Sequence, residues 1–209
     1  MGQEVSIPVE NAKLWSPDSP FLYGLSLSVK KGGNEVDNAT SYFGMRKISK
    51  GKLRGKPYMF LNNQPVFHYG PLDQGYWPDG LFTAPTYSAL RYDLEETKKL
   101  GMNMVRKHMK VEPARWFYYC DSIGLMVWQD MPSPAGLLSR RVVGDGSDNA
   151  VKQNFLRETE SIVKSLKNYP SIVMWVPYNE GWAQFAGSDD PSKGDASHTI
   201  NGVNLIKSL

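Results

Sequence analysis

Apolar and polar positions follow two different rhythms along this chain. Up to about residue 50 the apolar residues fall in short alternating segments, Leu22 to Val29 and Thr40 to Phe43, punctuated by Pro17, Pro20 and Gly32-Gly33. Alternation broken by turn residues predicts antiparallel strands. They are too few for a complete sandwich of about seven strands. Tyr58 to Leu61 and Pro65 to Tyr69 flank Asn62-Asn63-Gln64, which predicts a hairpin, because Asn tolerates the positive φ of a tight turn.

Beyond this hairpin strands and helices alternate. A helix over about 86–100 places Tyr87, Leu90, Leu94 and Thr97 on one face and stops at Gly101. A strand follows over Asn103 to Lys107. Pro113 opens a helix that carries Trp116, Cys120 and Ile123 on one face and ends at Gly124. Leu125 to Trp128 predict another strand, and a Pro/Gly-rich loop covers 131–148. The next helix aligns Phe155, Thr159, Ile162, Val163 and Leu166, with Asn168 and Pro170 as its stop. A strand over 171–176 and a last helix from about Thr199 complete the pattern. Repeated strand–helix units imply a parallel sheet with right-handed crossovers. Four units are half of the eight that close an α/β barrel.

The apolar run Ile172 to Val176 runs almost directly into Asn179-Glu180. A run without polar alternation fits a strand buried on both faces of a parallel sheet. A carboxylate after the C-terminal end of such a strand stands where α/β barrels place their chemistry. The Trp, Asn and Gly residues around it suit a sugar, with an aromatic face for the ring and an amide for a hydroxyl. Glu180 is therefore expected to be one of two catalytic carboxylates of a glycosidase.

Composition narrows the partners. The 41% hydrophobic content supports a sizeable core, and 12% aromatic content with six Trp and eleven Tyr is compatible with carbohydrate binding. The net charge is +3 and the basic residues are scattered, so no nucleic-acid face is expected. No run reaches the roughly 18 apolar residues of a membrane span, and no signal peptide is visible. The single cysteine, Cys120, falls at an apolar helical position and is expected to be a buried thiol. His68, His108 and His198 lack metal-ligand spacing.

The chain resembles glycoside hydrolase family 2, the β-galactosidases, β-glucuronidases and β-mannosidases. Leu14-Trp15-Ser16-Pro17 and Pro20-Phe21-Leu22-Tyr23 resemble late strands of the family's immunoglobulin-like domain. Phe43-Gly44-Met45-Arg46-Lys47 resembles the junction into its barrel, and Leu61-Asn62-Asn63-Gln64-Pro65-Val66 the hairpin that leads in. Asp93 through Arg106, Tyr119-Cys120-Asp121 with Gly124-Leu125, and Asn179-Glu180 follow in family order. The resemblance implies the end of an immunoglobulin-like β-sandwich over 1–50 and the first half of a (β/α)8 TIM barrel over 51–209. It implies a retaining exo-β-glycosidase, β-galactosidase-like, that needs no cofactor and whose nucleophile Glu lies beyond residue 209. A half barrel also exposes two strand edges, which predicts self-association and an inactive isolated chain.

Under this resemblance Glu180 is the general acid/base and Asn179 a donor to the sugar 2-hydroxyl. Arg106 either orients the nucleophile or makes a salt bridge at the barrel rim. His108, displaced by one position from the family's histidine, is a hydroxyl contact or a loop residue without a role. Asp130 binds a hydroxyl or caps a helix. Asp73, Tyr76 and Trp77 line a sugar subsite, and Trp182 stacks on a ring or serves the core. Glu112, Glu158 and Asp145 are weaker candidates for a second carboxylate. The rival reading is a non-catalytic carbohydrate-binding or scaffold protein that keeps half the fold.

Overall fold

The structure, a computed structural model, describes residues 5–132, 147–179 and 197–209. It contains three sheets. Strands β1 (Tyr23–Lys31) and β2 (Asn34–Phe43) form an antiparallel hairpin. Strands β3 (Ile48–Leu53), β4 (Lys56–Leu61) and β5 (Gln64–Pro65) form a second antiparallel sheet. Three two-residue turns connect these strands, at Gly32-Gly33, Arg54-Gly55 and Asn62-Asn63, and all six residues have positive φ. That conformation matches the right-handed twist of the flanking strands.

The third sheet carries the site. It is parallel, in the order β6 (Leu72–Asp73), β7 (Met104–Lys107), β8 (Met126–Asp130) and β9 (Ile172–Val176). Helices α1 (Tyr87–Lys99), α2 (Ala114–Ile123) and α3 (Ser147–Leu166) lie between successive strands, and α4 (Ser197–Ser208) follows β9. Thr86 caps α1, its Oγ1 accepting from the Ala89 N–H at 3.0 Å. Gly124 ends α2 in the left-handed conformation.

Alternation along the strands separates two buried faces. Val105, Val127 and Ile172 pack with Leu90, Leu94, Trp116, Phe117 and Leu166 of the helical layer. Met104, Met126 and Val173 face the other way, onto Trp15 and Leu61. Residues before the parallel sheet thus cover its second face. Trp175 belongs to the helical side, because an irregularity in the β8–β9 register returns it to the cluster around Leu166.

Sequence and structure differ in several places, among them β5, which stops at Pro65 instead of running to Tyr69, and β6, which was not expected. Strand β2 begins at Asn34, six residues before the expected start, and β3 was not expected. Both are largely exposed and polar, so they lack the alternation that marks a half-buried strand. Strand β8 extends past Trp128 through Gln129 and Asp130, polar residues that are nonetheless fully buried. Strand β3 also runs through residue 50 and pairs with β4.

Asp121 ties the N-terminal segment to the barrel sheet. Its Oδ1 accepts from the Ser171 N–H and its Oδ2 from the Tyr42 hydroxyl, both at 2.8 Å. Its backbone carbonyl accepts from Trp15 Nε1, and Arg46 donates to the Pro170 and Ile172 carbonyls nearby. Burial pushes the Asp121 carboxyl up to about 6, against these hydrogen bonds and the Arg46 charge, which pull it down. The folded state then holds this proton more tightly than the unfolded chain, so stability falls as pH rises from about 4 to about 6. The contribution is about 3 kcal/mol for a shift of about two units. Asp121→Asn can keep both contacts, with its amide N–H2 toward Tyr42. Urea unfolding across this window should show the wild type losing stability relative to the variant. A difference that is flat with pH would contradict the assignment.

Candidate active site

Strands β7, β8 and β9 end side by side, and their C-terminal residues meet in one polar cluster. Arg106 alternates with Val105 and so shares the face of Met104, away from the helices. Its guanidinium makes a two-pronged pair with Asp130, Nε to Oδ1 and Nη2 to Oδ2, both at 2.9 Å. The Asp130 side chain is 1% exposed. Paired, planar and charge-assisted, this contact fixes both groups. Arg106 Nη2 also donates to Asn179 Oδ1 at 2.9 Å. A guanidinium has only donors, so the bond sets the orientation of the amide and leaves Asn179 Nδ2 as a directed donor. The two Nη1 hydrogens have no acceptor among the described residues.

Three of the residues singled out in the sequence, Arg106, Asp130 and Asn179, are therefore brought together. The others stand elsewhere. Asp73 lies on the opposite face of the sheet, paired in register with Lys107. His108 follows β7, is half-buried, and makes no side-chain hydrogen bond among the described residues; its backbone N–H donates to the Asp73 carbonyl. Trp77 sits in the turn after β6, bridged to Leu81, and its buried Nε1–H has no acceptor among the described residues. Glu180, Trp182 and Asp145 lie outside the described residues. Glu158 pairs with Asn154 on the surface of α3. Cys120 is fully buried, and burial pushes its thiol up, which suits a packing role.

His68 enters the interior as well. Trp128 Nε1 donates to its Nδ1 at 2.8 Å, and burial lowers its pKa. The acceptor role of Nδ1 fixes the neutral ring with its proton on Nε2. Among the described residues no three His, Cys, Asp or Glu side chains are placed to hold a metal ion, and no helix is long and apolar enough to cross a membrane.

On the helical face a second charged cluster surrounds Lys107, whose side chain is 1% exposed. Its Nζ lies 2.8 Å from Asp73 Oδ2 and 2.5 Å from Glu112 Oε1, with the Trp116 ring at 5.1 Å. Lys110 Nζ meets the same Glu112 oxygen at 2.8 Å and donates to the Gly75 and Phe82 carbonyls. Glu112 is thus held between two ammonium groups.

The barrel-domain model of glycosyl hydrolases family 2 matches residues 59–192, and a second model of that family matches residues 1–46. The chain belongs to glycosyl hydrolases family 2. A Formosa agariphila relative, provisionally named a β-glucuronidase, is 28% identical over 177 residues, covering 84% of this chain and 16% of its own length. A β-galactosidase of Thermoanaerobacter pseudethanolicus is 27% identical, covering 81% of this chain and 21% of its own. The β-glucuronidase of Ruminococcus gnavus, solved with a uronic isofagomine, superposes with a TM-score of 0.79 at 18% identity, over 96% of this chain and 32% of that one. That likeness speaks for the fold. The chain spans about a fifth of the length of the curated relatives it matches.

For this family 2 chain, the sequence singled out Arg106, Asp130 and Asn179 one by one, through the family resemblance and their places at or just beyond strand ends, but not as a cluster. It did not point to Lys107, Lys110 or His68. The available signal for Lys107 was its alternation with Val105, which puts a lysine on the apolar helical face. Such a residue must be paired to stay buried.

Proposed function

We propose that this chain carries the acid/base half of a retaining exo-β-glycosidase. The observation that supports this reading most is the Arg106–Asp130–Asn179 cluster at the C-terminal ends of three adjacent parallel strands, with Glu180 next in sequence. Glu180 protonates the glycosidic oxygen as it leaves, then removes a proton from the incoming water. A second carboxylate, supplied from outside these 209 residues, attacks the anomeric carbon and forms a glycosyl-enzyme. In retaining enzymes the two carboxyl groups stand about 5 Å apart. Asn179 Nδ2 donates to the sugar 2-hydroxyl, a bond that strengthens as positive charge develops on the ring. The free Nη1 edge of Arg106 faces the nucleophile and holds it ionised.

In this reading residues 1–50 close an immunoglobulin-like domain, and residues 51–209 form the first four units of an eightfold barrel. β-Galactosides are the first substrate class to try, and β-glucuronides and β-mannosides stand beside them, since relatives carry all three names. The test is hydrolysis of a panel of aryl β-glycosides by the protein that contains this chain. Turnover of one β-glycoside with release of the β-configured sugar is expected. Sugar binding without turnover of any member would favour the non-catalytic scaffold instead.

A further inference from the structure

The geometry points to Lys107, Glu112 and Lys110 as a clamp that holds the aromatic turn 74–83 in place as a wall for a carbohydrate ring. The proposal rests on the glycosidase reading for its ligand, but not for the clamp itself.

The turn follows β6, at the same end of the sheet as Arg106, Asp130 and Asn179. It presents Tyr76, Leu81 and Phe82 to solvent, with the Tyr76 and Phe82 rings 4.6 Å apart. Exposed aromatic side chains at the strand end that carries the polar cluster suit a ring that has both apolar C–H faces and hydroxyl edges. Trp77, within the same turn, carries a buried N–H without an acceptor among the described residues.

Among the described residues, the side-chain anchors of the turn lead to the two lysines. Asp73, at its base, accepts from Lys107 at 2.8 Å and from the Gly75 N–H at 2.7 Å. Lys110 takes the carbonyls of Gly75 and Phe82, one from each end, at 3.0 and 2.7 Å. Its Nζ also lies 5.7 Å from the Phe82 ring centroid. Gly75 has φ +68, and a Cβ there would stand 2.7 to 2.8 Å from Lys107 Nζ, Glu112 Oε1 and Lys110 Nζ. The backbone is thus seated directly on the charges. Leu81 in the turn and Met109 beside Lys110 both adopt left-handed φ, 54 and 52°. Conformations of this kind persist in non-glycine residues where surrounding contacts over-determine them. Lys107 and Lys110 act through the turn, so they are positioning residues.

The experiment pairs hydrogen exchange with kinetics. Lys107→Met takes an ammonium partner from the partly buried Asp73 and from the buried Glu112 and risks the fold, so Lys110→Met is the principal variant. Exchange of the amides in 74–83 should accelerate about tenfold or more in Lys110→Met, while β7–β9 amides keep their protection. In the parent enzyme KM for aryl glycosides should rise about tenfold, by more than kcat falls, as expected when a binding wall is loosened. Unchanged exchange in 74–83 overturns the clamp. Faster exchange with unchanged KM overturns the carbohydrate wall. Absence of hydrolysis by the wild type refutes the glycosidase reading and with it the wall, while the exchange result still decides the clamp.

Discussion

Arg106→Met should cost more activity than any other single change among the described residues. It leaves Asp130, whose side chain is 1% exposed, as a buried carboxylate without its counter-charge. It also removes the donor that orients Asn179. Breaking one partner of a buried pair costs about 3–5 kcal/mol of stability. Loss of preorganised donors costs about 100- to 1000-fold in kcat. Arg106→Lys should recover part of the stability and little of the activity, because one ammonium cannot span both Asp130 oxygens and Asn179 together. Denaturant unfolding and aryl glycoside kinetics on the same preparations check both halves. Near-wild-type kcat in Arg106→Met would remove the cluster from the mechanism.

Gly70→Ala should unfold the edge of the barrel sheet. A Cβ at Gly70 would lie 1.6 Å from the Met104 carbonyl oxygen, so backbone rather than side chain must move. That displacement strikes the junction where the Tyr69 carbonyl accepts from Asn103 and Met104 and the Pro71 carbonyl from Arg106. The expected loss is about 3 kcal/mol or more, the upper end for overpacking. In a chain of this size that is a fall in Tm of about 10 °C. Because Asp73 and Arg106 sit one step along the same pairing, activity should fall with it. A Tm within about 2 °C of wild type would show that β6 is not held as described.

The units from β7 to β9 were legible because these strands are largely buried and each helix has one apolar stripe, whereas the two-residue β6, with Leu72 exposed, left no such pattern. Leu90 with Leu94, and Trp116 with Cys120, gave the helical period, and Ile172 to Val176 the uninterrupted run. The antiparallel part was less legible. Asn34 to Ala39 and Lys50 to Lys52 are exposed on both faces, so side-chain pattern says little there. At the site, strand-end positions singled out Arg106, Asp130 and Asn179. Which groups they bond depends on strand order and register, which a single sequence does not state. Asp73 shows the same limit. One residue of register decides whether it faces Arg106 or Lys107, and it faces Lys107. The Lys107–Glu112 pair joins β7 to the residues before α2, and its partner Asp73 is 34 positions away in sequence.

The most direct test of the account is azide rescue of Glu180→Ala in the protein that contains this chain. With a dinitrophenyl β-glycoside, whose leaving group needs no proton, the variant should form the glycosyl-enzyme and then stall for want of a general base. Azide should restore turnover and yield a β-glycosyl azide, since an anion attacks the intermediate without base catalysis. Wild-type turnover by the variant, or an α-glycosyl azide, would contradict Glu180 as the acid/base of a retaining enzyme.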